Sequence, residues 1–79
     1  MVERRASSRH RTLKGGSIST PLGSIDCVVR NLSERGACVE VDRPLSIPDD
    51  FRLIIKPENI ARACHVQWRG PTKIGVSFT

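Results

Sequence analysis

Two short stretches of this chain hold the side chains best suited to chemistry. Arg4-Arg5-Ala6-Ser7-Ser8-Arg9-His10-Arg11 is a basic leader with almost nothing apolar in it. Arg5 and Arg9 stand four residues apart with only small residues between them, so an extended or turned leader lets both guanidiniums converge on one ligand. A guanidinium offers a planar fork of N–H donors that clamps a phosphate bidentately, meets the O6/N7 edge of guanine, or stacks on a base face. The second stretch, Asn31-Leu32-Ser33-Glu34-Arg35-Gly36, falls between two β-branched runs. It reads as a turn in which Asn and Ser bond nearby backbone groups and Gly36 tolerates a positive φ. Taken singly, each stretch has a plainer explanation. Short basic leaders commonly act as solubilising or nonspecific tails, and a strand-ending turn of this composition needs no function.

The placement of charge makes the leader more than a compositional accident. The chain has 79 residues and a net charge of +5. Residues 1–14 hold five basic side chains against one acidic, a net of +4, whereas the remaining 65 carry eight basic and seven acidic. The positive charge is thus an N-terminal device that attracts phosphate on a nucleotide, a nucleic acid or an anionic lipid. Other classes fare badly. No Ser/His/acid set with a nucleophile elbow and no glycine-rich P-loop is present, so an enzyme is not expected. His65 reads as an exposed strand residue and Asp49-Asp50 as a solvated turn. Cys27, Cys38 and Cys64 are odd in number without C-x-x-C spacing, which supports neither a disulfide framework nor a structural zinc site. They read as small strand residues in a reducing compartment. No run approaches the ~20 apolar residues of a membrane helix and no apolar h-region follows the N-terminal charge, so neither membrane insertion nor secretion is expected. The expectation is a soluble cytoplasmic protein.

The elements that must position these stretches are short strands. Residues 1–11 show no period and read as a flexible arm, leaving 12–79 as one small domain. Leu13 to Ile18 is a weak strand with a bulge or bend at Gly15-Gly16. Thr20 to Gly23 is a turn. Ser24 to Arg30 alternates, with Ile25, Cys27 and Val29 facing Asp26, Val28 and Arg30 across the strand. Ala37 to Val41 follows the Asn31–Gly36 turn with Ala37, Val39 and Val41 inward. Pro44, Pro48 and Asp49-Asp50 make a loop that regular structure crosses with difficulty. Phe51 to Lys56 turns inward Phe51, Leu53 and Ile55. Ala61 to Arg69 turns inward Cys64, Val66 and Trp68, and Lys73 to Phe78 turns inward Ile74, Val76 and Phe78. Six short strands with turn residues between them predict an all-β antiparallel barrel or sandwich, and a barrel removes exposed edges from so small a sheet.

In combination the two stretches resemble the signature of the PilZ domain, a family of cyclic di-GMP receptors. Arg5-Ala6-Ser7-Ser8-Arg9 is similar to its Arg-x-x-x-Arg arm, and Asn31-Leu32-Ser33-Glu34-Arg35-Gly36 to its Asn/Asp-x-Ser-x-x-Gly turn. Gly36-Ala37 entering a strand, and Trp68 followed by Ile74-Gly75-Val76-Ser77-Phe78 as a closing hairpin, look similar too. The resemblance implies a six-stranded antiparallel Greek-key-like barrel with the basic arm folding across its outside. It implies that Arg5 and Arg9 grip the guanines and phosphates of cyclic di-GMP. Asn31 and Ser33 would supply hydrogen bonds, Gly36 would allow close backbone approach, and Arg4 would help to hold a stacked ligand pair. Arg35 has no assigned role. Many family members continue into a C-terminal helix, whereas this sequence stops at Thr79 after its last strand.

The functional expectation is a non-catalytic receptor with no cofactor beyond this ligand. Its arm changes conformation on binding and signals to a downstream protein partner, the chain being a monomer or homodimer. Two rivals remain. A small nucleic-acid-binding barrel needs aromatic platforms, and Phe51, Trp68 and Phe78 all fall on inward faces of the predicted strands, so no nucleic acid is expected. A ligand-free adaptor of the same fold binds only protein, since fold does not fix function.

Overall fold

The computed structural model describes residues 10–79, with side-chain environments from Leu13 onward. Arg4, Arg5 and Arg9, expected to grip the ligand, lie outside the described residues. Six antiparallel strands close into a barrel in the order β1-β2-β3-β6-β5-β4. They are β1 (His10–Thr20), β2 (Gly23–Leu32), β3 (Gly36–Glu40), β4 (Asp50–Ile55), β5 (Ile60–Arg69) and β6 (Lys73–Phe78). The step from β3 to β4 crosses the barrel end, and pairing of β1 with β4 closes the sheet, giving the expected Greek-key-like barrel.

Alternation explains the interior. Cys27 and Val29 of β2, Ala37 and Val39 of β3, Phe51, Leu53 and Ile55 of β4, and Ile74 and Val76 of β6 are all buried. Asp26, Val28, Arg30 and Arg52 between them are exposed. Ile18, Val29, Val39, Leu53 and Ile74 are fully excluded from solvent, each burial being worth roughly 1.5–3 kcal/mol. Val41 is buried just past the end of β3, where its N–H donates to the Thr72 carbonyl at 2.8 Å.

The departures from the expected pattern are local and have identifiable causes. The irregularity expected at Gly15-Gly16 is displaced. Both glycines pair in regular register with β2, and the bulge lies between Arg11 and Lys14. The first strand begins at His10, inside the span read as arm, and β2 runs on through Asn31 and Leu32, leaving only Ser33–Arg35 as turn. The Pro-rich loop contains a single 3-10 turn, Pro44–Ser46. It is held from outside by Arg69, whose guanidinium donates to the carbonyls of Pro44 (2.5 Å) and Ile47 (2.7 Å) and to Asp49 Oδ1 (2.7 Å). Trp68 does not enter the core. It is 50% exposed, because a bulge between Val66 and Trp68 shifts the facing of β5 by one residue. Val66 still faces inward opposite Val76, and Trp68 then lies opposite Gly75 on the outside.

Candidate functional site

A bulge in β2 does for Asn31 what the bulge in β5 does for Trp68. In an unbroken β2, Asn31 would share the inward facing of Val29. The register shifts between Val29 and Asn31, so that Asn31 pairs with Cys38 and Leu32 with Ala37. Directly paired residues share a face of the sheet. Cys38 faces outward and Ala37 inward, so Asn31 is carried outside while Leu32 packs against the core. Bulges commonly re-aim a side chain in this way.

The two bulges converge on one row. Following the pairings around the barrel, Trp68 lies opposite Gly75, Gly75 opposite Cys38, Cys38 opposite Asn31, and Asn31 opposite Arg11. One transverse row on the outer surface therefore runs from an aromatic ring to an amide and on to the strand that carries the basic leader. At about 4.8 Å per strand the backbones of Trp68 and Asn31 stand about 14 Å apart. The indole shortens that gap by lying across Gly75, where a Cβ would fall 2.0 Å from the ring nitrogen. Gly75 is the residue that lets the ring lie flat on the barrel wall.

The turn beside this row is built from its own side chain. The Ser33 hydroxyl donates to the Gly36 carbonyl at 3.2 Å and accepts from the N–H groups of Arg35 and Gly36, each at 3.3 Å. Ser33 N–H donates to the same Gly36 carbonyl at 2.9 Å. In this conformation the hydroxyl shapes the turn. The Arg35 carbonyl accepts from Phe78 N–H at 2.7 Å, which ties the turn to the last strand. Gly36 has no positive φ, contrary to the sequence expectation. Glycine is required there because a Cβ would lie 2.1 Å from the Val76 carbonyl oxygen of β6. The close approach it permits is thus to the neighbouring strand.

The arm's point of entry is fixed by pairing. His10 lies opposite Leu32, and Arg11 opposite Asn31. Whatever precedes His10 is therefore tethered at the end of the barrel that carries the turn. At this mouth a cleft of about 310 Å³ has Leu32 and Ile55 in its lining, Ser33 and Glu34 of the turn forming part of the wall. Lys14 and Arg62 bring positive charge to its rim; Lys14 also reaches Glu58 at 3.6 Å, and Arg62 lies 4.3 Å over the Phe78 ring. Arg35 is exposed at the turn, and Arg30 pairs with Glu40 at 3.0 Å on the outer face.

Sequence reasoning missed two features of the outer surface. Strand alternation places Trp68 in the core, and the signal that points outward instead is the small residue Gly75 in a closing hairpin otherwise lined by bulky ones. The other is a row of Asp50, His65 and Ser77 on three adjacent strands. His65 Nδ1 lies 2.8 Å from Asp50 Oδ1. The Ser77 hydroxyl, however, accepts from Gln67 Nε2 at 2.8 Å and points to the His65 carbonyl at 3.5 Å. Among the described residues it makes no hydrogen bond to the imidazole. Cys27 and Cys64 are unpaired inside the barrel. Burial pushes both thiols up from 9.0 to about 11; the charges of Asp26 and Cys64 add to the shift of Cys27, while a Leu53 backbone hydrogen bond and Arg62 temper that of Cys64. Among the described residues no helix is long and apolar enough to cross a membrane.

A search of curated proteins gave no match. A family model, the PilZ domain, matches residues 3–79, almost the whole chain. This protein therefore belongs to the PilZ domain family, whose members are generally cyclic di-GMP-binding modules.

Proposed function

We propose that this protein is a non-catalytic cyclic di-GMP receptor. The dinucleotide binds on the outer wall between the basic leader and the row that runs from Asn31 to Trp68. The observation that supports this most strongly is the pair of bulges. Each turns outward a side chain that strand periodicity would have buried, and both side chains arrive on one row that ends at the strand bearing the leader. Arg5 and Arg9 are assigned as the phosphate and guanine grips, with Arg4 as a third guanidinium for a stacked pair of ligands. Asn31 offers its amide to a guanine edge or phosphate, and Trp68 offers a ring face for stacking, which is worth about 1–3 kcal/mol per base. Ser33 and Gly36 act by holding the turn and its strand in place.

The energetics require both arginines. Fixing the five residues 5–9 costs about 1–2 kcal/mol each, roughly 5–10 kcal/mol in all. Two bidentate guanidiniums form four charge-assisted hydrogen bonds of ~1.5–3 kcal/mol each, roughly 6–12 kcal/mol. One guanidinium alone, at roughly 3–6 kcal/mol, reaches only the low end of the ordering cost. The bound leader then presents a new surface to a downstream protein partner. Isothermal titration with cyclic di-GMP tests the assignment. Wild type should give a saturating heat, Arg5→Ala and Arg9→Ala should each abolish it with the barrel still folded, and Ser33→Ala should weaken it less. An unchanged affinity in Arg9→Ala would reject the assignment.

The exposure of Trp68 reopens the nucleic-acid reading, since the missing stacking surface was its main obstacle. A single ring with no aromatic neighbour on its row is a poor platform for successive bases. Binding of RNA or DNA with steep salt dependence and no competition by cyclic di-GMP would favour that reading.

A further inference from the structure

We propose that the end of the barrel opposite the leader is a self-association surface, through which two copies of this chain meet tip to tip about a twofold axis. The surface is formed by the β1–β2 hairpin tip and the 3-10 turn before β4. Between them lies a groove of about 550 Å³ in whose lining Pro21, Leu22, Ile25, Leu45, Ile47 and Pro48 predominate. None of its lining residues is charged, in a chain of which 27% of residues are. Leu22 is 100% exposed and Leu45 88%, so the two most exposed large apolar side chains among the described residues stand on this one patch.

Two observations favour a second copy as the occupant. The patch is self-complementary, because it carries a projecting leucine beside the groove that would receive one. An isologous contact needs both features on the same surface. Charge then selects the orientation. Residues 1–14 carry a net +4 of the chain's +5, and they enter the barrel at the end where His10 meets Leu32. The hairpin tip is at the other end of the 11-residue strand β1, about 35 Å away at ~3.3 Å per residue. Apposing the uncharged tips places the two basic ends as far apart as the dimer allows, whereas any other pairing brings them closer. The contact area is small, so the dimer is weak. Both mouths, with their turns and outer rows, stay open, and the inference does not depend on the ligand assigned there.

Sedimentation equilibrium of the full chain without nucleotide, from about 10 µM to about 1 mM, tests it across the range where a small apolar interface associates. The mass should rise from 8.8 kDa towards twice that value. Added salt should strengthen association, since it screens the basic ends and leaves an uncharged contact intact. Leu22→Asp and Leu45→Asp should each remain monomeric throughout, with wild-type circular dichroism, because neither side chain contributes to the core. A wild type that stays at 8.8 kDa to the highest concentration overturns the proposal. So does a dimer that persists in the Leu22→Asp/Leu45→Asp double variant, or one that salt dissolves.

Discussion

Replacing Gly36 by alanine should unfold a large part of this domain's stability, although it adds one carbon atom. The added Cβ would lie 2.1 Å from the Val76 carbonyl oxygen, 3.1 Å from its carbon and 3.2 Å from Ser77 Cα. Ordinary carbon–oxygen contacts begin near 3 Å, so β3 and β6 must part by about an ångström at this point, and the obstacle is backbone that cannot rotate away. Parting them weakens about two ladder hydrogen bonds, around Gly36–Ser77 and Ala37–Val76, at about 1 kcal/mol each. Overpacking adds about 1–3 kcal/mol. The sum, about 3–5 kcal/mol, compares with a total stability of about 4–12 kcal/mol for a chain of this length. The melting temperature should fall by at least about 12 °C, at ~4–8 °C per kcal/mol. Gly15→Ala is the control, since nothing lies within 4 Å of the Cβ it would add. Urea unfolding followed by far-UV circular dichroism should show Gly36→Ala far below wild type and Gly15→Ala within about 0.5 kcal/mol of it. If the two variants unfold at the same urea concentration, the claim that Gly36 is there for strand packing fails.

Gly75→Ala should leave the barrel folded while displacing the indole from the wall; the emission of the single tryptophan should shift and cyclic di-GMP affinity should fall about tenfold, the loss of ~1–2 kcal/mol of stacking. An unchanged emission maximum would show that the ring does not rest there. Arg69→Ala removes three charge-assisted hydrogen bonds from the loop between β3 and β4. It should destabilise the domain by about 2–4 kcal/mol in urea titrations. Arg69→Lys should recover only part of this, for want of the planar fork. Burial keeps Cys27 and Cys64 protonated in the folded barrel up to about pH 11, against an ordinary 9.0. The folded state thus holds more protons between these values. The contribution is fully present below pH 9 and is lost as pH rises towards 11, with a slope approaching about 1.4 kcal/mol per pH unit for each thiol. Urea midpoints from pH 8 to pH 10.5 should fall less steeply in Cys27→Val than in wild type, and parallel curves would contradict the burial argument.

Most of the barrel can be read from the sequence because β3, β4, β6 and β2 as far as Val29 alternate, and a half-buried strand admits one facing. Cys27 and Val29 against Asp26 and Arg30 leave no choice. What alternation cannot show is a bulge, since a single unpaired residue resets the parity of everything after it while leaving local composition unchanged. Arg30 and Gln67 are such residues, and they alone decide that Asn31 and Trp68 face outward. The role of Gly36 was hidden for a related reason. A turn glycine suggests a left-handed backbone, and only the path of β6 shows that the requirement is steric. Arg69 was invisible as a clamp because its acceptors lie some twenty or more residues away in a loop with no period. The spacing that set Asn31 and Ser33 in one turn did not separate an outward amide on β2 from a hydroxyl folded back on its own backbone.

The account is tested most directly by backbone and indole amide shifts of the uniformly labelled chain during titration with cyclic di-GMP. The largest changes should fall on Asn31, Ser33–Cys38, Gly75 and the Trp68 indole N–H, together with Arg4, Arg5 and Arg9. Residues 20–24 and 44–48 at the far end should remain still. Saturation with no movement along the row, or movement confined to the far end, would contradict it.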